Sequence, residues 1–147
     1  MIAVGSDHGG LDLKNAVCAL LITRGLAFSD MGTVDTNSVD YPDFGFRVAS
    51  AVAGGGYTEG ILICGTGIGM SIAANKVNGI RAALVHDPFT AQMAKQHNNA
   101  NVLVMGGRVL TCEQGCELVE IWLDTLFEGG RHQSRLEKIQ QIELDQK

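Results

Sequence analysis

The sequence predicts a doubly wound α/β sandwich, with a five-stranded parallel sheet between two layers of helices. Three observations carry that prediction. Short apolar runs at Ile2 to Ser6, Ile61 to Ile63 and Val102 to Met105 read as buried strands. Segments with apolar residues at helical spacing lie between them, and such alternation implies parallel strands joined by right-handed crossovers. The chemically distinctive stretches, Asp7-His8, Cys64 to Gly69, His86-Asp87 and Gly106-Gly107-Arg108, all follow strand ends. That is the edge where open parallel sheets hold ligands.

Each element has its own signal. Ile2 to Ser6 is the first strand, and Asp7-His8-Gly9-Gly10 leaves it. Leu13, Val17, Leu20 and Leu21, at i, i+4, i+7 and i+8, predict a helix from about Leu11 to Arg24, with Gly25 just past its end. Leu26 to Ser29 reads as the second strand and Met31 to Asp40 as a polar loop. Pro42 suits the first turn of the next helix, with Asp40 or Tyr41 near its cap. Phe44, Val48, Ala51 and Val52 give that helix an apolar face, and Gly54-Gly55-Gly56 ends it. Ile61 to Ile63 is the central strand. It runs out at Cys64 into a loop with glycine at 65, 67 and 69, followed by an Ala-rich helix.

Ala82 to Val85 is the fourth strand. Asp87 and Pro88 supply the cap and first position of a helix reaching about His97. Asn98-Asn99-Ala100-Asn101 has turn chemistry, and Val102 to Met105 is the fifth strand. Thr111 with Gln114 forms a capping box for a helix whose face is marked by Leu118, Ile121, Trp122 and Thr125. Glu128-Gly129-Gly130 breaks it, and Arg131 to Gln146 reads as a mostly polar last helix.

A chain of 147 residues is the length of one domain with a real core. Its net charge of −5 argues against a broad nucleic-acid surface. No apolar stretch approaches membrane-spanning length, and the start lacks the basic region of a signal peptide. The cysteines at 18, 64, 112 and 116 lack zinc-ribbon pairing and read as reduced thiols of a cytoplasmic protein. Cys112 and Cys116 share a helix face without a neighbouring pair to complete a metal site, so packing is their expected role. No metal and no cofactor is expected.

The Gly-rich loop is the chemical centre. Strand, glycine turn and helix start together leave backbone N–H groups free to meet an anion, and a cysteine beside them is stabilised as thiolate. The spacing is G-x-G-x-G, which is neither the dinucleotide fingerprint nor a P-loop. Cys64 is a candidate base and the 65–69 amides a candidate oxyanion hole. Arg131 and Arg135, at i and i+4, share a helix face and can grip a phosphate, with Arg108 and His8 as further cations. His97 and Asn98 sit at the far end of their helix, so they meet Cys64 only by fold-back or from another subunit. His86 and His132 read as structural.

Taken in order, these blocks resemble a known family: Asp7-His8-Gly9-Gly10, Asp40-Tyr41-Pro42, Gly60 to Gly69, Ala73-Ala74-Asn75-Lys76, His97 to Asn101 and Arg131-His132-Gln133-Ser134-Arg135. The chain is similar over essentially its whole length to the ribose-5-phosphate isomerase type B family, which includes galactose-6-phosphate isomerase subunits. The resemblance implies a Rossmann-like fold and a metal-free aldose–ketose isomerase working through a cis-enediolate. Matched position by position, it implies Cys64 as the base between C1 and C2. It implies that Thr66 and His97 assist opening of the sugar ring, with His97 as proton donor. Asp7, His8, Tyr41, Gly65, Gly67, Ile68, Gly69 and Asn98 would line the sugar, and Arg108, Arg131 and Arg135 would hold the phosphate. Some members use a carboxylate in place of the cysteine; Ser71 and Asn75 here offer none, which favours the cysteine form. The implied assembly is a homodimer with sites built from both subunits, and further assembly to a tetramer is open. Ribose 5-phosphate is the first substrate implied; allose, galactose or a tetrose phosphate are the alternatives, and a non-catalytic anion-binding module is the remote one.

Overall fold

The computed structural model describes residues 1–147. Five parallel strands form one sheet in the order β2-β1-β3-β5-β4. They are β1 (Ile2–Ser6), β2 (Phe28–Asp30), β3 (Glu59–Cys64), β4 (Ala82–Leu84) and β5 (Val102–Gly106). The three central strands are buried almost throughout, as a sheet covered on both faces requires.

Right-handed crossovers decide which helix covers which face. The chain steps one way from β1 to β2 and from β4 to β5, and the other way from β2 to β3 and from β3 to β4. Helices α1 (Leu11–Thr23) and α4 (Pro88–Gln96) therefore fall on one face, joined there by α5 (Cys112–Asp124). Leu13, Val17, Leu21, Ala91, Leu118 and Trp122 pack with Ile61, Ile63 and Leu103 in that core. Helices α2 (Tyr41–Ala53) and α3 (Ile68–Ala74) take the other face, where Val48, Val52, Met70 and Ala74 meet Leu62 and Val104. Odd and even positions of β3 thus serve different cores, the period of two that a pleated strand imposes.

Several local expectations shift by a residue or two. β2 starts at Phe28 rather than Leu26, because the Leu26 N–H still closes the turn after α1 by donating to the Leu21 carbonyl. β4 stops at Leu84, before Val85. Asp40 occupies the cap position of α2 but its side chain makes no capping bond. Asp87 does cap α4, accepting from the Thr90 N–H at 2.7 Å, and Thr111 with Gln114 forms the box on α5. On α5 the buried face is Gly115, Leu118, Val119 and Trp122, so Val119 takes the place expected of Thr125.

Two buried lysines have partners. Lys14, 1% exposed, bonds both oxygens of Asp30 and the Thr33 carbonyl, which ties α1 to the loop after β2. Lys95 pairs with Glu59 and lies over the Trp122 ring, 4.2 Å from its centroid. The last helix, α6 (Arg131–Asp145), stands apart: His132 is its only buried residue. No helix is long and apolar enough to cross a membrane.

Candidate active site

Three strand exits meet around Cys64. At the end of β1, the Asp7 N–H donates to the Ile63 carbonyl at 3.2 Å. Its carboxylate Oδ1 accepts from the N–H groups of Gly9 and Gly10 at 2.9 and 3.2 Å. Asp7 is buried, so these bonds fix the carboxylate's direction. His8 Nδ1 accepts from the Val39 N–H at 3.2 Å. The neutral ring then carries its proton on Nε2, which remains available as a donor.

At the end of β5, the Gly107 N–H donates to the Cys64 carbonyl at 2.8 Å, and the Arg108 N–H to the Gly65 carbonyl at 2.9 Å. These bonds lay the Arg108 side chain along Gly65, where an added Cβ would come 3.1 Å from Nη1. Arg108 is exposed and forms no ion pair.

Cys64 itself is buried, 4% exposed, at the floor of the group. The Gly67 N–H donates to its sulfur at 3.2 Å, and Gly67 holds φ at +81°, a value that favours glycine. That single residue folds the loop back over the thiol. Thr66 stands exposed on the loop, its Oγ1 accepting from the Ile68 N–H at 3.3 Å. Tyr41, the first residue of α2, lays its ring on Gly69, where an added Cβ would sit 2.8 Å from the phenol oxygen. Only glycine admits the ring there. Asp7, His8, Tyr41, Cys64, Gly65, Thr66, Gly67, Ile68, Gly69 and Arg108 are therefore one cluster.

His97, Asn98, Arg131 and Arg135 are not part of it. α4 runs back along the sheet, so His97 caps it near the start of β5, where the Gly60 N–H meets the Asn101 carbonyl. The whole of β5, five residues, lies between that end and Gly106 beside Cys64. At a rise of about 3.3 Å per residue the two ends are roughly 16 Å apart. Within one chain, the far cluster does not reach the sulfur.

This far cluster has its own order. The His97 ring stacks on His132, with centroids 4.1 Å apart and planes 16° apart. Arg131 and Arg135 are exposed on α6 and form no ion pair. Burial holds the His132 imidazole below its ordinary pKa, and the neighbouring His97 adds to the effect. From the sequence alone, His132 reads as structural. The stack joins residues 35 positions apart on different helices, so no local spacing could reveal it. The Asn75 side chain also has a duty the sequence did not disclose: it bonds the N–H and carbonyl of Ala82 at 2.9 Å each, occupying the free edge of β4.

Chemically, the near cluster offers a thiol, a fixed carboxylate, an imidazole donor and one cation. The far cluster offers an imidazole and two free guanidiniums. The first suits proton abstraction and the second suits a phosphate. The family model described as Ribose/Galactose Isomerase matches residues 2–139. A ribose-5-phosphate isomerase B of Escherichia coli is 50% identical over 142 residues, 97% of this chain and 95% of that one. The solved Clostridium thermocellum ribose-5-phosphate isomerase B superposes with a TM-score of 0.98 at 49% identity, covering 99% of each chain. A Mycoplasma genitalium ribose-5-phosphate isomerase B, solved with bound ribulose-5-phosphate, gives 0.92 at 45% identity, over 97% and 95% of the two chains.

Proposed function

The chain belongs to the Ribose/Galactose Isomerase family, and on that premise we propose that it interconverts D-ribose 5-phosphate and D-ribulose 5-phosphate, with Cys64 as the base. The observation that carries the reading is the buried Cys64 sulfur under the Gly67 N–H, on a loop against which Gly9, Arg108 and Tyr41 lie. The similar Mycoplasma enzyme holds ribulose-5-phosphate, the product named here.

In this mechanism the sugar first opens. His97 gives a proton to the ring oxygen as the C1–O bond breaks, while the C1 hydroxyl passes its proton to solvent water and becomes the aldehyde. Thr66 assists from the loop. The Cys64 thiolate then takes the proton from C2, and the electron pair moves into a C1–C2 double bond with negative charge on the C1 oxygen. Backbone amides of residues 65–69 stabilise that cis-enediolate. The C2 hydroxyl then passes its proton to the C1 oxygen, and return of the Cys64 proton to C1 gives the ketose with its carbonyl at C2. Arg108, Arg131 and Arg135 hold the phosphate with His8 nearby, and its binding energy orients the reacting carbons. Asp7, Tyr41 and Asn98 line the sugar. No step calls on a metal.

A second copy of the chain supplies the far cluster. Each protomer has a Cys64 end with a single cation and a His97 end lacking a base, so two copies complete each other. Ile68 and Ile72, exposed at i, i+4 on α3 directly after the Cys64 loop, give such a contact an apolar face. The homodimer is the smallest active unit in this reading; pairing of dimers into a tetramer adds nothing to the site. The reaction belongs to the pentose phosphate pathway of the cytoplasm.

Turnover of ribose, allose and galactose phosphates and of erythrose 4-phosphate, each with EDTA present, tests the proposal. Preference for ribose 5-phosphate, unchanged by the chelator, is expected. Preference for a hexose or tetrose phosphate would move the protein to another sugar with the same chemistry. No turnover of any would overturn the isomerase.

A further inference from the structure

The stacked pair His97–His132 is more than a packing contact. His132 is 4% exposed, yet its Nε2 has no hydrogen-bond partner. A buried polar atom without a partner is a cost that the surrounding structure must offset. The ring is held by its face instead, against His97 at 4.1 Å. The turn carrying it is clamped to the end of α4: the Glu128 N–H donates to the Gln96 carbonyl at 3.0 Å, and Gln96 Nε2 donates to Glu128 Oε2 at 2.7 Å. The other Glu128 oxygen lies 3.8 Å from His132 Nε2.

Side chains of His97, Glu128 and His132 bring ligand atoms within 4.8 Å of one another, close enough to suggest a metal. The ring geometry argues against one. An imidazole lone pair lies in the ring plane. With planes only 16° apart and centroids 4.1 Å apart, no point about 2.1 Å from a nitrogen of each lies in the plane of both rings, where the lone pairs point. The arrangement is a platform, not a ligand set.

We propose that His132 is a positioning residue for the isomerase: its buried ring holds the His97 imidazole face-on, so that His97 alone presents a proton to the sugar's ring oxygen. The inference rests on the isomerase reading above. Two stacked imidazoles so close resist a second proton. Around the pair, Arg131 and Arg135 on α6 oppose protonation of His132 and Glu128 favours it. Burial opposes the charged form of His132, and His97 is the less buried ring of the two.

Ring opening and proton transfer can be read separately. Ribulose 5-phosphate is open-chain, so loss of deuterium from its C1 reports the Cys64 step without ring opening. Conversion of ribose 5-phosphate needs both. In the His132→Ala variant, kcat for ribose 5-phosphate is expected to fall by about tenfold or more, with KM within about twofold and C1 deuterium loss unchanged. His132→Phe keeps a flat ring and is expected to restore most of the lost rate. Equal losses in both assays, a rise in KM alone, or an unaffected alanine variant would overturn the inference. Should the alanine variant not fold, the phenylalanine variant decides. Near-normal ring-dependent turnover supports the platform; a tenfold loss with deuterium loss intact overturns it, since the nitrogens would then matter more than the face. Failure of the unmodified enzyme in both assays would instead sink the isomerase reading itself.

Discussion

Cys64 differs from the other cysteines in what surrounds its sulfur. Cys18 is half-buried on α1, and burial first, then the Asp30 charge, push its thiol up to about 11. Burial raises Cys116 as well, and Cys112 stands exposed. Only Cys64 among the four receives a backbone N–H, from Gly67. That donor lies on the loop leaving β3 and holds the sulfur under its backbone. Removal of a general base costs about 10²–10⁴-fold in rate. Cys64→Ala is accordingly expected to lower kcat by about 10³-fold while phosphosugar affinity, measured by calorimetry, stays close to that of the unmodified protein. Retained turnover would assign the base elsewhere.

At the scale of elements, α6 is the odd one. It buries little in its own chain and leaves Ile139, Ile142 and Leu144 exposed. What fastens it is the His97–His132 stack, the Gln96–Glu128 pair and a bond from the Gly79 N–H to Glu143 Oε1 at 3.0 Å. The stack makes this attachment sensitive to acid. Because the folded pKa of His132 is lowered from 6.5, its contribution is complete above that unfolded value and is lost as pH falls through the folded one. Urea unfolding at fixed protein concentration should show stability falling from pH 7.5 towards pH 5 in the unmodified protein. The fall should be smaller in His132→Phe. Parallel losses in both would mean that His132 is not the buried neutral group responsible.

For the whole molecule, the length of the sheet is the governing dimension. Its two ends carry complementary chemistry about one strand length apart, so a site containing both must join two chains. Cys64→Ala and Arg131→Glu each disable one end. In a heterodimer of the two variants, one composite site has both ends intact and the other has neither. Random mixing should then recover about a quarter of unmodified activity, since half the dimers are mixed and each has one working site. No recovery after unfolding and refolding the mixture would place a complete site within one chain.

Much of this was legible in the sequence because it depends on neighbours along the chain. Apolar period, Asp87-Pro88 and the Thr111–Gln114 box mark elements through local hydrogen bonding, and alternation of strand and helix dictates a parallel sheet. Cys64 with its glycines was legible for the same reason: donor and sulfur are three residues apart. Tertiary structure alone decided the strand order, with β5 between β3 and β4, and hence which face each helix covers. It alone decided that Tyr41 rests on Gly69, that Asp7 bonds the end of β3 and Arg108 lies along Gly65, and that His132 underlies His97. Those contacts join residues far apart in sequence, and no local preference encodes them; they exist only once the crossovers have stacked the layers.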